Sequence, residues 1–199
     1  MSVAIKGPMP SAAAVGAVLD RLTLLAMLSI LAAILTAAMI YQFAFGEIPC
    51  PLCLLQRFAM FGCCFGLMRQ LRSGGGERGS GIALLFAVVL LIISVRQTLL
   101  DLFPRPGHEY IGSAVLGIHM PVWSVFIAVA LLIGFAARLV LFGDYRSLSP
   151  TSLPRFARFT KALIVYVVLL CAINFVAVVV QCGLDECHTF GYRLLGQLN

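Results

Sequence analysis

Five apolar runs, each close to 20 residues long, constrain this chain more than any other feature. They cover residues 22–45, 51–68, 82–103, 122–142 and 162–181. A helix needs about 20 mostly apolar residues to cross the hydrocarbon core of a bilayer. The hydrophobic share of 61% and the charged share of 11% agree with this interpretation. The sequence therefore predicts an all-α membrane protein, a four-helix transmembrane bundle plus a fifth transmembrane helix, in a single integral membrane domain over residues 1–199.

The basic residues predict the orientation of these spans, because Lys and Arg are enriched in cytoplasmic loops. Two of them, Arg105 and Arg193, fall on one side, whereas ten fall on the other. Those ten are Lys6, Arg21, Arg69, Arg72, Arg78, Arg138, Arg146, Arg155, Arg158 and Lys161. We therefore expect a cytoplasmic N-terminus and a C-terminus outside. The net charge of +6 is interpreted as a signal of membrane topology rather than of a binding surface, and no nucleic-acid partner is expected.

With this topology, four of the seven cysteines lie at outer helix ends as two pairs, Cys50 with Cys53 and Cys182 with Cys187. The other three fall within helices. Among those three, the adjacent Cys63 and Cys64 are interpreted as small core residues. The glycines around them, at positions 62 and 66, have a GxxxG spacing that predicts close packing of another helix.

The first pair forms a C-x-x-C motif, which is typical of a redox dithiol, a metal site or a structural disulfide. Pro51 suits the first position of a helix and would place Cys53 in the first turn. Unpaired N–H groups and the macrodipole favour a thiolate there. We therefore expect Cys53 to be the buried nucleophile and Cys50 the more exposed exchange partner, with Arg57 one turn later adding a fixed cation. The alternative is a structural clip at a helix start.

Two arginines lie inside spans, where each costs about 3 kcal/mol on insertion scales. Arg57 and Arg96 are each about 10 Å below the outer end of their helices. The matching depth predicts a shared polar pocket for the polar head of a membrane-soluble ligand, such as a quinone, and the neighbouring Gln56 and Gln97 would assist. Alternatively, both arginines reach the outer headgroups or pair with acidic residues at that end.

The second pair is separated by five residues, which puts the two thiols about 140° apart on a continuous helix. A Cys182–Cys187 disulfide therefore requires a loop, and Gly183 makes a turn plausible. An exposed loop disulfide beside Asp185 and Glu186 would be accessible to a soluble protein partner. The alternatives are a structural staple of the tail, or a metal site formed with His188 and the first pair.

Several motifs in this order resemble the disulfide bond formation protein B (DsbB) family, the quinone-dependent membrane oxidoreductases of bacterial inner membranes. They are the C-P-L-C-x-x-Q-R segment at 50–57, Arg96, the F-P-R-P segment at 103–106 and the L-G-I-H-M-P-V-W segment at 116–123. The resemblance covers residues 20–142.

The resemblance implies a protein-dithiol:quinone oxidoreductase of the bacterial inner membrane with its active cysteines on the periplasmic side. Quinone, either ubiquinone or menaquinone, would bind near Arg57, Gln56 and Arg96. Electrons would come from a periplasmic thioredoxin-fold protein of the DsbA type. The catalytic cysteines would be Cys50, Cys53, Cys182 and Cys187, and no metal is expected.

One departure from the family pattern is that residues 102–121 contain no cysteine, although the family's second pair lies in this loop. We infer that Cys182 and Cys187 substitute for it. The tail would then fold over the outer face and bring one of them within disulfide distance of Cys50. Five tail residues would hold it against the membrane interface, namely Phe190, Tyr192, Leu194, Leu195 and Leu198.

Other functions compete with this interpretation. A redox enzyme like vitamin K epoxide reductase also couples a C-x-x-C to quinone, but in that family the auxiliary pair precedes the motif, whereas here it follows. A membrane protein that binds a soft metal such as Cu(I) through thiolates is a second alternative, although the spans offer no Met ladder and no acidic path. A scaffold that has lost activity is the third, and the intact Cys50, Cys53 and Arg57 argue against it.

Overall fold

Five long helices make up the computed structural model, which describes residues 12–73, 77–103, 114–142, 154–183, 187 and 191–196. They are α1 (Ala12–Ala44), α2 (Pro51–Ser73), α3 (Arg78–Leu102), α4 (Met120–Phe142) and α5 (Pro154–Cys182). A two-stranded antiparallel hairpin, β1 (Ala114–Val115) with β2 (Ile118–His119), precedes α4, and a 3-10 turn covers Arg193–Leu195. All five helices are long and apolar enough to cross a membrane. The predicted all-α membrane fold with a fifth helix is confirmed.

The helices extend beyond the apolar runs that predicted them. α1 begins at Ala12 rather than at residue 22, and α5 begins at Pro154 rather than at residue 162. Apolar runs mark the part of a helix that suits hydrocarbon, whereas a helix continues through polar residues that lie outside it. Asp20 and Lys161 are such residues within these added turns.

α2 and α3 approach each other closely at glycines. A Cβ atom added to Gly66 would lie 2.5 Å from the backbone nitrogen of Ala83, and one added to Gly79 would lie 2.6 Å from that of Gln70. Only glycine permits helix backbones to come this near, as in other small-residue interfaces of membrane helices. The close packing predicted from the GxxxG spacing is confirmed, and Cys63 and Cys64 are fully buried core residues beside it.

A buried ion pair fastens the end of the bundle opposite the two cysteine pairs. Arg138 on α4 donates through Nε to Oδ1 of Asp20 on α1 at 2.6 Å and through Nη2 to Oδ2 at 2.9 Å. Its Nη1 donates to Oγ of Ser80 on α3 at 2.7 Å. Arg138 is 1% exposed, so this residue, counted above among the loop charges, lies inside the bundle.

α5 packs against α1 and α2. Near its middle, the hydroxyl groups of Tyr166 and of Thr36 on α1 are hydrogen-bonded at 2.6 Å. In its last turn, Nε2 of Gln181 donates to the carbonyl oxygen of Pro49 at 2.8 Å. The end of α5 therefore lies beside the segment that leads into α2. We call this end of the bundle, which carries Cys50, Cys53 and Cys182, the cysteine end.

Candidate functional site: a dithiol centre with amide and arginine neighbours

Cys50 and Cys53 form a disulfide at the start of α2. Pro51 is the first helical residue, as predicted, so Cys50 occupies the capping position before it. The backbone N–H of Cys53 donates to Sγ of Cys50 at 3.2 Å. The side chain of Cys50 thus satisfies a backbone donor that the first helical turn leaves unpaired.

The exposure of the two sulfurs is the reverse of the expectation from sequence. Cys50 is 8% exposed, whereas Cys53 is half-buried. The first N–H groups of a helix point back toward the capping residue. Their hydrogen bonds are therefore available to the sulfur of Cys50 rather than to a residue one turn further along. The end of α5 also lies against Pro49, next to Cys50. Sequence alone does not reveal that contact, because the two segments are far apart in the chain.

Gln97 on α3 places an amide against both sulfurs. Its Nε2 donates to Sγ of Cys50 at 3.4 Å and to Sγ of Cys53 at 3.5 Å. Its Oε1 accepts a hydrogen bond of 3.0 Å from Nε2 of Gln56, and Oε1 of Gln56 accepts one of 3.1 Å from Oγ of Ser124 on α4. The hydrogen bonds from Ser124 through Gln56 to Gln97 run toward the sulfurs, so this network can stabilise negative charge there.

Arg57 lies one turn below Cys53 and is 9% exposed. Its Nη1 donates to Oε1 of Gln42, to Sδ of Met39 at 3.5 Å and to Oδ1 of Asn174 at 3.4 Å. Its Nη2 donates to the carbonyl oxygen of Ala38 at 2.9 Å. Each of these acceptors is neutral, so none of the hydrogen bonds of the buried guanidinium within the described part of the chain goes to a carboxylate.

Arg96 does not share a pocket with Arg57. Its side chain is exposed, whereas the next residue, Gln97, is buried. Arg57 makes its contacts with α1 and α5, not with α3. Equal depth along two helices does not fix which way each side chain faces, since neighbouring residues point about 100° apart. On α3, Gln97 is the residue that faces inward. In the sequence, its position beside an arginine was the only sign of a role in the site.

Cys182 and Cys187 form the second disulfide. α5 ends at Cys182, and Gly183 follows with a φ of 65°, a left-handed conformation that glycine adopts readily. The predicted turn at Gly183 is confirmed. Cys182 is 5% exposed, whereas Cys187 is half-buried. Residues 184–186, like His188, lie outside the described residues.

The described part of the tail contacts the bundle through Tyr192. Its hydroxyl accepts a hydrogen bond of 3.2 Å from Nε2 of Gln42 on α1. Leu194 and Leu195 are exposed, whereas Phe190 and Leu198 fall outside the described residues. Tyr192 therefore fastens the tail to the cysteine end through α1, whereas the anchoring of the tail at the membrane interface stays a prediction.

The two pairs are neighbours but are bridged separately. Gln181, adjacent to Cys182, bonds to Pro49, adjacent to Cys50. Each disulfide is closed within its own pair, so the linkage expected between Cys50 and the second pair is absent from this oxidised arrangement. Among the described residues, no group of three or more His, Cys, Asp or Glu side chains is placed to hold a metal ion.

The model of the family described as Disulfide bond formation protein DsbB matches residues 20–109. This segment holds the first disulfide, Gln56, Arg57 and Gln97, and it ends before α4. Searches of the curated proteins and of the solved structures each found no match. Residues 20–109 are thus similar to the DsbB family, whereas α5 and the Cys182–Cys187 pair lie beyond the matched segment.

Proposed function

We propose that this protein is a thiol:quinone oxidoreductase that reoxidises a periplasmic DsbA-like dithiol protein. The match of residues 20–109 to the DsbB family supports an oxidoreductase of disulfide bond formation. The observation that carries the finer proposal is a disulfide at a helix start whose sulfurs accept bonds from Gln97, one turn from the buried Arg57. The N-terminus would be cytoplasmic and both pairs would lie outside, as the loop charges predict, and the inner membrane with its periplasmic side is what the resemblance to the DsbB family implies.

The residues around the first pair fit a quinone headgroup. Within the described residues, the hydrogen bonds of Arg57 go to neutral acceptors, so it can donate to a carbonyl oxygen without first breaking an ion pair there. Ser94 lies one turn before Gln97 on the buried face of α3, and its fully buried hydroxyl has no hydrogen-bond partner among the described residues. A buried polar group of this kind calls for a partner. Bound quinone would supply an acceptor for two electrons and two protons. We therefore assign its binding to Arg57, Gln56 and Gln97, with Gln97 in place of Arg96.

The first exchange takes electrons from the partner protein. A partner thiolate attacks Sγ of Cys187, the more exposed sulfur of the second pair, and releases Cys182 as a thiolate. The partner's second thiolate then attacks its own bridged sulfur and releases Cys187. The partner leaves as a disulfide, and two electrons stay on Cys182 and Cys187 as a dithiol.

The second exchange passes these electrons to the first pair. The Cys182 thiolate attacks Sγ of Cys50, which lies beside the same Gln181–Pro49 contact, and releases Cys53 as a thiolate. Cys187 then attacks Cys182, restores the second disulfide and releases Cys50. The thiolates that form in turn accept hydrogen bonds from the backbone N–H of Cys53 and from the amide of Gln97. Cys50 is therefore the exchange partner although it is buried, and Cys53 is the sulfur next to Arg57.

An anaerobic turnover assay tests this function. The protein in lipid nanodiscs is mixed with a reduced DsbA-type protein and a short-chain ubiquinone or menaquinone analogue, and quinone absorbance is followed. We expect one quinone reduced for each partner disulfide formed, and loss of turnover in Cys53→Ser and Arg57→Met. A Cys53→Ser protein that reduces quinone at the wild-type rate would contradict the proposal. Stoichiometric copper or zinc after anaerobic purification, with no turnover, would favour metal binding instead.

A further inference from the structure

We propose that Tyr192 of the C-terminal tail positions Arg57 through the amide of Gln42, so that the tail sets the affinity of the quinone site. The inference rests on the proposed function, because it takes Arg57 as a quinone-binding group. Tyr192 and Gln42 act as positioning residues, since their contacts reach Arg57 and not the sulfurs.

The Gln42 side chain joins the tyrosine to the arginine. Its Oε1 accepts from Nη1 of Arg57, and its Nε2 donates to the hydroxyl of Tyr192 at 3.2 Å. The amide is 2% exposed, so water cannot replace either partner at low cost. With both ends engaged, the amide is held against rotation and keeps its acceptor end on the guanidinium.

The parts of the chain beyond the matched family segment therefore complete the arginine's surroundings. α1 contributes three hydrogen-bond acceptors for Arg57, namely Ala38, Met39 and Gln42. α5 adds Asn174 at 3.4 Å, and the tail adds Tyr192 behind Gln42. A guanidinium on a flexible stem loses less binding energy to ordering when its position is fixed before the ligand arrives. The tail thus preorganises the cation.

The chain offers a matched control for this idea. Tyr166 on α5 also uses its hydroxyl to bond a side chain of α1, Thr36, at 2.6 Å. That bond lies in the middle of the bundle, and Thr36 is not among the contacts of Arg57. Replacing either tyrosine by phenylalanine removes one hydroxyl bonded to α1 and keeps the ring. An effect caused only by looser packing on α1 would appear in both variants.

Steady-state kinetics in nanodiscs with a short-chain quinone analogue separate positioning from packing. Tyr192→Phe should raise KM for the quinone about fivefold, as expected for the loss of one neutral hydrogen bond, with kcat unchanged. The rate of thiol exchange between the partner and Cys182–Cys187, measured without quinone, should stay at the wild-type value. Tyr166→Phe should change neither quantity. The double variant Gln42→Met/Tyr192→Phe should have the same KM as Gln42→Met, because both changes break one path.

The outcomes distinguish this inference from the proposed function. Equal KM values for Tyr192→Phe and Tyr166→Phe would overturn the inference, as would a slower exchange of Cys182–Cys187 with no change in KM. Additive effects of Gln42→Met and Tyr192→Phe would also overturn it. An Arg57→Met protein that keeps the wild-type KM and kcat for quinone would instead overturn the proposed function, whatever the tyrosine variants show.

Discussion

Gln181 donates a hydrogen bond of 2.8 Å from Nε2 to the carbonyl oxygen of Pro49, joining residues that are 132 positions apart. This bond brings the last turn of α5 against the segment that carries Cys50. It supports the proposal that the cysteine pair at the end of α5 replaces a pair in the loop before α4. The relay that we propose would use this contact, because Gln181 and Pro49 are adjacent in sequence to Cys182 and Cys50.

Gln181→Leu should slow electron transfer from the second pair to the first. Leucine keeps much of the volume but removes the donor to Pro49, so Cys182 is held less well beside Cys50. We expect turnover with a DsbA-type partner to fall about tenfold, in line with the loss of one buried hydrogen bond. Turnover with dithiothreitol, which can reduce Cys50–Cys53 directly, should change little. Equal losses with both donors would contradict the positioning role.

Cys182→Ser/Cys187→Ser should separate the relay from a structural staple. The double variant should lose more than about 90% of turnover with the protein partner, because no second dithiol remains to accept its electrons. Quinone reduction with dithiothreitol should continue through Cys50 and Cys53. Stopped-flow mixing with the reduced partner provides the measurement. Full partner-dependent turnover in the double variant would show that the pair is only a staple.

Gln97→Leu should make the Cys50–Cys53 disulfide harder to reduce. The amide donates to both sulfurs, and reduction creates negative charge there, so losing the donor destabilises the reduced form. A hydrogen bond to a charged group contributes about 1.5–3 kcal/mol, which corresponds to a potential lower by roughly 30–60 mV. Equilibration with glutathione buffers, read by thiol labelling of Cys50 and Cys53, measures the shift.

Gln70→Leu is the matched control for Gln97→Leu. Gln70 is also a buried glutamine between α2 and α3, where its Oε1 accepts from the backbone N–H of Ser80 at 3.2 Å. It lies near the far end of α2, away from the sulfurs. Its replacement should leave the potential of Cys50–Cys53 at the wild-type value. A shift as large as that of Gln97→Leu would assign both effects to altered helix packing.

Arg138→Met should destabilise the bundle without changing the chemistry. It leaves Asp20 as a buried charge without its partner, which costs about 3–5 kcal/mol. The milder Ser80→Ala, which removes only the bond to Nη1 of Arg138, should cost about 1 kcal/mol. Unfolding in mixed micelles measures both, and kcat per folded molecule should match the wild type. An unchanged stability of Arg138→Met would contradict the ion pair as a stabilising contact.

Hydropathy predicts the helices well, because a bilayer imposes a length on each apolar run and Pro51 marks where α2 begins. The direction in which a side chain points around its helix axis is harder to predict. Arg96 and Gln97 are adjacent in sequence, yet only the second faces the sulfurs. The burial of Cys50 depends on capping geometry and on a contact with α5, and neither leaves a local signal. The contacts of Gln42 with Arg57 and of Tyr192 with Gln42 likewise could not be predicted, because contacts between distant segments cannot be inferred from one sequence.

The relay between the two pairs is tested most directly by trapping its intermediate. Cys53→Ser/Cys187→Ser removes the sulfur that would resolve each side of the mixed disulfide, and Cys53→Ser/Cys182→Ser is the control. After mild oxidation, peptide mapping under non-reducing conditions identifies the linkages. We predict that Cys50–Cys182 predominates in the first variant and that Cys50–Cys187 forms far less in the control. Free Cys50 and Cys182 in a folded first variant would contradict the relay.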